Sequence, residues 1–269
     1  MWLIGEMGLA IYGALVCSIF AFQRHLMYHP LKAIKTPADY GLRSVQDVFL
    51  KSKDGVKLQA WIHQPRAGFP TIVYFHGNAS NLSDRAGKFG SFVDAGFGLV
   101  AVSYRGFGKS EGSPSESGIY KDARAAIDYA LKEMHVPLAG LIYFGESLGS
   151  GVAVQMASEQ GPGLLVLEAA YTSVETRSAE LYPFVLGVRL LVHDKYDSLS
   201  KIKNVHAPLL MLHGQLDQVI PLAHGEMLFA AAHEPKELVV YPEVYHADYS
   251  NEQTLVPLLG AARKYKLIQ

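Results

Sequence analysis

Two rhythms of apolar residues alternate along most of this chain. Unbroken apolar runs occur at Thr71 to Phe75, Leu99 to Ser103, Leu141 to Phe144, Leu164 to Leu167, Leu209 to Leu212 and Leu238 to Tyr241. Runs of this length read as strands buried on both faces. Between them, apolar positions recur every three or four residues. Ile119, Ala123, Ala126, Ile127 and Leu131 show it within Ile119 to Met134. Ser150 to Glu159, Leu222 to Ala232 and Glu252 to Lys264 behave likewise, so four amphipathic helices are predicted. Upstream, Val45 to Leu50 and Val56 to His63 flank the turn pair Asp54-Gly55 and predict a hairpin. An antiparallel opening followed by strand–helix repeats predicts an α/β fold, a mostly parallel sheet with helices on both faces. One stretch breaks the rhythm. Ala170 to Lys203 has no clear strand and holds Tyr171, Tyr182, Phe184, Leu186, Leu190, Leu191 and Tyr196. Its residues, about 171–203, are expected to form a short cap over the C-terminal edge of the sheet.

The N-terminus follows neither rhythm. Leu3 to Phe22 carries one charge, Glu6, and Met7 to Phe22 carries none. A helix of about 20 residues at about 1.5 Å rise would just span a hydrocarbon core of about 30 Å. A secretory signal needs a positive opening, and Met1 to Glu6 has no Lys or Arg. A lipoprotein signal would place a small residue before Cys17, where Val16 stands. The expectation is a retained anchor helix over residues 1–27, inserted through residues 3–22. A linker over 28–40, with Pro30 and Pro37, would join it to a domain at 41–269. A helix packed on the domain or lying in the membrane interface is the competing reading. Arg24, Lys32 and Lys35 follow the segment, which by the positive-inside rule puts the domain on the cytoplasmic side.

Composition narrows the partners. The chain has 269 residues, enough for one large α/β domain with an ample core. The net charge is −1 and the basic residues do not cluster, which argues against a nucleic-acid partner. Cys17 is the sole cysteine, so neither an intrachain disulfide nor a thiolate zinc site can form.

The candidate chemistry sits at Gly145-Glu146-Ser147-Leu148-Gly149, after the strand ending at Phe144 and before the helix beginning near Ser150. A tight strand-to-helix turn needs glycines where a Cβ would clash, and it exposes the serine hydroxyl at a helix N-terminus. Developing negative charge is favoured there. A serine hydroxyl needs a base. His246 follows the last predicted strand and precedes the last helix, a position from which an imidazole can reach the serine. His213 and His224 are rivals by chain order; one ends a strand and the other falls in a helix, so both read as structural. Asp217, on the loop after Leu209 to Leu212, would orient His246 and stabilise the imidazolium. Asp248 is its rival, two residues from His246 and better suited to a supporting or helix-capping role. A tetrahedral oxyanion needs preorganised N–H donors. The amides of Leu148 and Asn78 are the candidates, with Ala79 as the alternative one residue on; His76 reads as ordering that loop. No metal or organic cofactor is implied, and the Gly106 to Gly112 run lacks the ending of a phosphate loop.

With these residues in place, the chain resembles the α/β-hydrolase superfamily, and within it the Bem46-like group of N-terminally anchored hydrolases. The resemblance rests on Tyr28-His29-Pro30, His76-Gly77-Asn78-Ala79, Tyr104 to Gly112, Gly145 to Gly149, Tyr171-Thr172-Ser173, Tyr196-Asp197-Ser198, His213 to Pro221 and Tyr245-His246. It implies an eight-stranded sheet, a Ser147–Asp217–His246 triad and hydrolysis of acyl esters or thioesters. Monoacylglycerol lipase, lysophospholipase and protein depalmitoylase are the relatives in view. Tyr245 stands where the family usually has glycine, and the Cys-rich N-terminus of the depalmitoylases is absent. The expectation is a membrane-associated serine esterase acting on monoacylglycerol or other short- to medium-chain acyl esters. An acyl-protein thioesterase and a non-catalytic membrane adaptor that keeps the fold are the alternatives. Tyr171, Tyr182, Phe184, Leu186 and Tyr245 are the candidate substrate-binding residues.

Overall fold

The computed structural model describes residues 2–268. Its strands, in chain order, are β1 (His29–Pro30), β2 (Gln46–Lys51), β3 (Lys57–His63), β4 (Thr71–Phe75), β5 (Ala79–Ser80), β6 (Gly98–Val102), β7 (Leu141–Glu146), β8 (Leu164–Glu168), β9 (Leu209–Gly214) and β10 (Lys236–Tyr241). The helices are α1 (Trp2–Met27), α2 (Ala86–Ala95), α3 (Glu116–Lys132), α4 (Leu148–Glu159), α5 (Val174–Leu181), α6 (Val188–Leu191), α7 (Ser198–Lys201), α8 (Leu222–Ala231) and α9 (Asn251–Lys264). Eight strands form one sheet in the order β10-β9-β8-β7-β4-β6-β3-β2. Only the β2–β3 and β3–β6 pairings are antiparallel. This is the expected α/β-hydrolase fold.

The unbroken apolar runs are explained by two cores. In β4, Val73 and Phe75 face a core shared with α3, α4 and α8, while Ile72 and Tyr74 face one shared with α2 and α9. Successive side chains of a strand point to opposite faces, so a strand covered on both sides must be apolar at every position.

The N-terminal segment and the expected cap are joined to the domain in detail. The segment after α1 is no free linker: Tyr28 is buried, and β1 pairs in parallel with β5. The cap between β8 and β9 is built from α5, α6 and α7, and α1 lies along it. Asp197 caps α7 by accepting from the Ser200 N–H at 3.1 Å, as its place before Ser198 suggests. Ser250, not Asp248, caps α9, in a reciprocal box with Gln253.

Candidate active site

The site is assembled at the C-terminal ends of β7, β9 and β10. Ser147 stands between β7 and α4 with φ 52° and ψ −117°. A non-glycine residue held there is strained, and close packing keeps it in place. A Cβ on Gly149 would run into the Phe75 carbonyl, and one on Gly145 into Gly149 O and the Ser150 backbone. Both glycines are therefore demanded by backbone packed on backbone. The Ser147 N–H donates to Glu168 O at 2.9 Å, tying the turn to the neighbouring strand.

His246 Nε2 lies 2.9 Å from Ser147 Oγ, and His246 Nδ1 lies 2.7 Å from Asp217 Oδ2. The other oxygen, Asp217 Oδ1, accepts from the Val219 and Ile220 N–H groups at 2.9 and 2.7 Å. Asp217 is buried, and the two backbone donors on Oδ1 fix the orientation of its carboxylate. The rival histidines are elsewhere engaged. His213 Nε2 is 2.9 Å from Ile220 O, which braces the Asp217 loop, and burial pushes its pKa down. His224 is buried, with Nδ1 2.8 Å from Thr172 Oγ1 and Nε2 3.0 Å from Glu180.

The loop after β4 passes close to the serine. An ideal Cβ on Gly77 would lie 3.5 Å from Ser147 Cβ. Among the described residues, neither the Asn78 nor the Leu148 backbone N–H donates within the chain. Asn78 is fixed by its other groups. Its O accepts from His29 N–H at 2.9 Å and its Nδ2 donates to Met27 O at 2.8 Å. His76 orders the base of this loop: Nδ1 is 2.7 Å from Gly77 O, and Nε2 accepts from the Tyr104 N–H at 3.2 Å. Burial, reinforced by Arg85, holds its pKa down to about 3.

Behind the turn lies an ion cluster with no expectation in the sequence. Glu146 accepts from Arg85 Nη2 at 2.6 Å and from the Tyr74 hydroxyl, and Lys88 stands 3.6 Å away. Lys88 also pairs with Glu168, which Thr254 bonds at 2.6 Å. Burial raises the Glu146 pKa, but Arg85 and Lys88 outweigh it and hold the carboxyl below its usual range. The residue beside the serine is thus a permanently charged anchor.

Two cavities meet at Ser147 and Asn78. One, of about 240 Å³, is walled by apolar side chains of the cap and of α1. The other, of about 530 Å³, is polar and reaches His246, Ser80, Asp84, Arg85, Asp248 and Asn251. The structure brings Tyr171 and Tyr182 to the apolar cavity; Phe184, Leu186 and Tyr245 line neither one. Leu186 is 81% exposed on the outer rim of the cap, and Phe184 and Tyr245 are also exposed. Sequence reasoning missed the wall that α1 supplies through Ile19, Phe20, Gln23, Leu26 and Met27. Tyr12, Val16, Ile19, Gln23 and Met27 form one helical stripe, the face of α1 that is half-buried, and in a helix apolar on every side only the polar Tyr12 and Gln23 mark it in the sequence. Among the described residues, no group of three or more His, Cys, Asp or Glu side chains is placed to hold a metal ion.

The sheet order, the strained serine turn and the cap define an α/β hydrolase, and the chain belongs to that family. Residues 68–196 match the family described as Serine aminopeptidase, S33. An uncharacterized protein of Mycobacterium tuberculosis is 37% identical over 240 residues, covering 88% of this chain and 85% of its own. Alpha/beta hydrolase domain-containing protein WAV2 of Arabidopsis thaliana is 32% identical over 267 residues, covering 90% and 86%. Protein bem46 of Schizosaccharomyces pombe is 26% identical over 249 residues, covering 86% and 82%. Among solved structures, a Pyrococcus furiosus esterase superposes with a TM-score of 0.69 at 18% identity, covering 90% of this chain and 97% of that one.

Proposed function

We propose that this protein is a membrane-associated serine hydrolase of carboxylic esters, acting on monoacylglycerol or similar acyl esters through an acyl-enzyme. The observation that carries the reading is the unbroken relay Asp217–His246–Ser147, at 2.7 and 2.9 Å, at the foot of an apolar cavity. Ser147 Oγ attacks the ester carbonyl while His246 Nε2 takes its proton. The oxyanion settles between the Leu148 and Asn78 amides, neither of which has another partner among the described residues. The tetrahedral intermediate collapses as His246 protonates the departing alcohol. Water then attacks the acyl carbonyl as His246 takes its proton, and His246 returns that proton to Ser147 Oγ as the acid leaves. Asp217, its oxygens occupied by donors, keeps the His246 proton on Nδ1 and balances the imidazolium.

The two cavities divide the substrate. The acyl chain occupies the apolar one, with Tyr171 and Tyr182 in its wall, and the alcohol and the attacking water use the polar one. Helix α1, whose span Glu6–Met27 is apolar enough to cross a membrane, serves as the anchor.

The test is a fluorophosphonate probe with an ester panel from acetyl to palmitoyl, run on wild type and Ser147→Ala. Labelling and turnover that vanish in Ser147→Ala support the proposal. A wild type that labels but cleaves none of the esters would sink it, as would aminoacyl naphthylamide turnover well above ester turnover.

A further inference from the structure

Helix α1 is joined to the cap in a way that a simple tether would not need. Two of its polar side chains, Tyr12 and Gln23, bond the cap backbone, and a third, Arg24, bonds a cap carboxylate. The Tyr12 hydroxyl donates to Phe184 O at 3.1 Å and accepts from Leu186 N–H at 2.8 Å. The Gln23 amide donates to Leu191 O at 3.0 Å and accepts from His193 N–H at 2.7 Å. Arg24 grips Asp194 with two bonds, at 2.8 and 3.1 Å. In water these irregular cap groups could bond to solvent. In hydrocarbon each unpaired backbone group costs several kcal/mol, so an intrachain partner becomes necessary.

Geometry couples the two elements further. The joint runs from Tyr12 to Arg24, about 18 Å of helix at about 1.5 Å per residue. The whole apolar span Glu6–Met27 measures about 33 Å on the same rise. The helix therefore cannot enter a bilayer without carrying the cap rim with it. The rim suits that burial: Leu181, Phe184, Leu186 and Leu190 are all exposed, Leu190 by 88%. On α1, Ile11, Leu15 and Phe22 fall on one helical face and are also exposed. The mouth of the apolar cavity lies within this surface, edged by Phe20, Leu26, Leu181 and Tyr182, each partly exposed.

We propose that α1 lies in the plane of the membrane interface rather than across the bilayer, and that it and the cap rim insert together into one leaflet, so that the apolar cavity opens into hydrocarbon and draws the acyl chain of a bilayer lipid directly from it. The occupant of this face is a lipid surface. The substrate claim rests on the ester-hydrolase reading above; the insertion claim does not.

The experiment uses the full-length chain reconstituted in phosphatidylcholine vesicles. In a Trp2→Phe background, Leu190→Trp places a fluorophore on the rim, while Trp61 stays buried in the domain. Phosphatidylcholine brominated on its acyl chains is expected to quench the Leu190→Trp signal beyond that of the background protein. Separately, Leu190→Glu is expected to slow hydrolysis of monoacylglycerol dispersed in vesicles by about tenfold or more, and to leave hydrolysis of soluble p-nitrophenyl acetate within about twofold. Leu190 lines neither cavity, so the soluble ester reports an intact site. Absence of quenching overturns insertion of the rim. An equal fall on both substrates, or no fall on either, overturns lipid uptake from the bilayer. A wild type inactive on every ester sinks the hydrolase reading instead, and the quenching result still decides insertion.

Discussion

Replacing Asp217 by asparagine tests whether the relay works as a relay. The asparagine keeps the size of the side chain and exchanges one acceptor for a donor, so the question is which way the amide turns. Asp217 Oδ1 serves two backbone donors, Val219 and Ile220, and Oδ2 serves one, His246 Nδ1. Turning the new NH2 toward Val219 and Ile220 would leave two buried N–H groups facing a donor, at about 1–3 kcal/mol each. Turning it toward His246 costs only a change of imidazole tautomer. The NH2 therefore faces His246, Nδ1 becomes an acceptor, and the ring proton moves to Nε2. That nitrogen then donates to Ser147 Oγ and cannot take its proton. Reaching the competent tautomer sets two donors against each other, and the imidazolium loses a charged hydrogen bond worth about 1.5–3 kcal/mol. Together these raise the barrier by about 3–6 kcal/mol, a fall in kcat of roughly 10²–10⁴. Initial rates on p-nitrophenyl butyrate, with thermal melting as the check on folding, measure it. An Asp217→Asn protein that melts like wild type and keeps kcat within about threefold would refute the tautomer argument.

Three further outcomes follow from the same site. Asn78→Ala removes the side-chain bond to Met27 O but keeps the backbone N–H; kcat is expected to fall about tenfold with KM little changed, and stability by about 1 kcal/mol. If only stability moves in paired kinetics and urea melts, the anchoring of Asn78 does not matter to the chemistry. Gly149→Ala drives a Cβ into the Phe75 carbonyl, and a loss of about 3 kcal/mol in urea denaturation is expected together with loss of turnover. The third concerns pH. His76 is held down to about 3 in the folded chain by burial and Arg85, against about 6.5 unfolded, so the unfolded state binds the extra proton between those values. The stability it contributes is full above about pH 6.5 and is lost as pH falls toward 3, with a slope approaching about 1.4 kcal/mol per unit. His213, also pushed down by burial, acts in the same direction. Urea midpoints that stay flat between about pH 7 and about pH 5 would contradict this.

How much of this was legible depended on how local the cause is. The serine turn could be read because its cause is local: backbone packed on Gly145 and Gly149 leaves no space for a side chain, and the preceding run is apolar because both its faces are covered. His246 and Asp217 could be read from their places after the last two strands. Helix α2 was not read, since Ala86–Ala95 carries two glycines and its buried Phe89 and Phe92 are too few for a clear period. The β1–β5 pair spans two residues on each side, below any pattern. Helices α6 and α7 have four residues each, about one turn, so they too show no period. The ion cluster draws Tyr74, Arg85, Lys88, Glu146, Glu168 and Thr254 together from across the chain, and no local spacing encodes it. Glu146 had been legible only as a loose position inside the G-x-S-x-G pattern.

The N-terminal helix marks the limit of reading a segment by composition. Its hydropathy separates it from the domain, and composition then suggests an element that could be exchanged for any other anchor. The structure opposes that inference at one residue. Asn78 holds the last carbonyl of α1 with its side chain and the His29 amide with its backbone oxygen, while its own N–H, without a partner among the described residues, is an oxyanion donor under the proposed mechanism. Any force that shifts the end of α1 therefore acts on the Asn78 amide through two short bonds. An oxyanion donor is worth about 2.7–4 kcal/mol only when its position is fixed before the charge develops. The ordering of α1 against the cap is thus part of what fixes it. Under the proposed mechanism, a replacement helix of equal hydropathy lacking Tyr12, Gln23 and Arg24 would leave Asn78 held at a loose end.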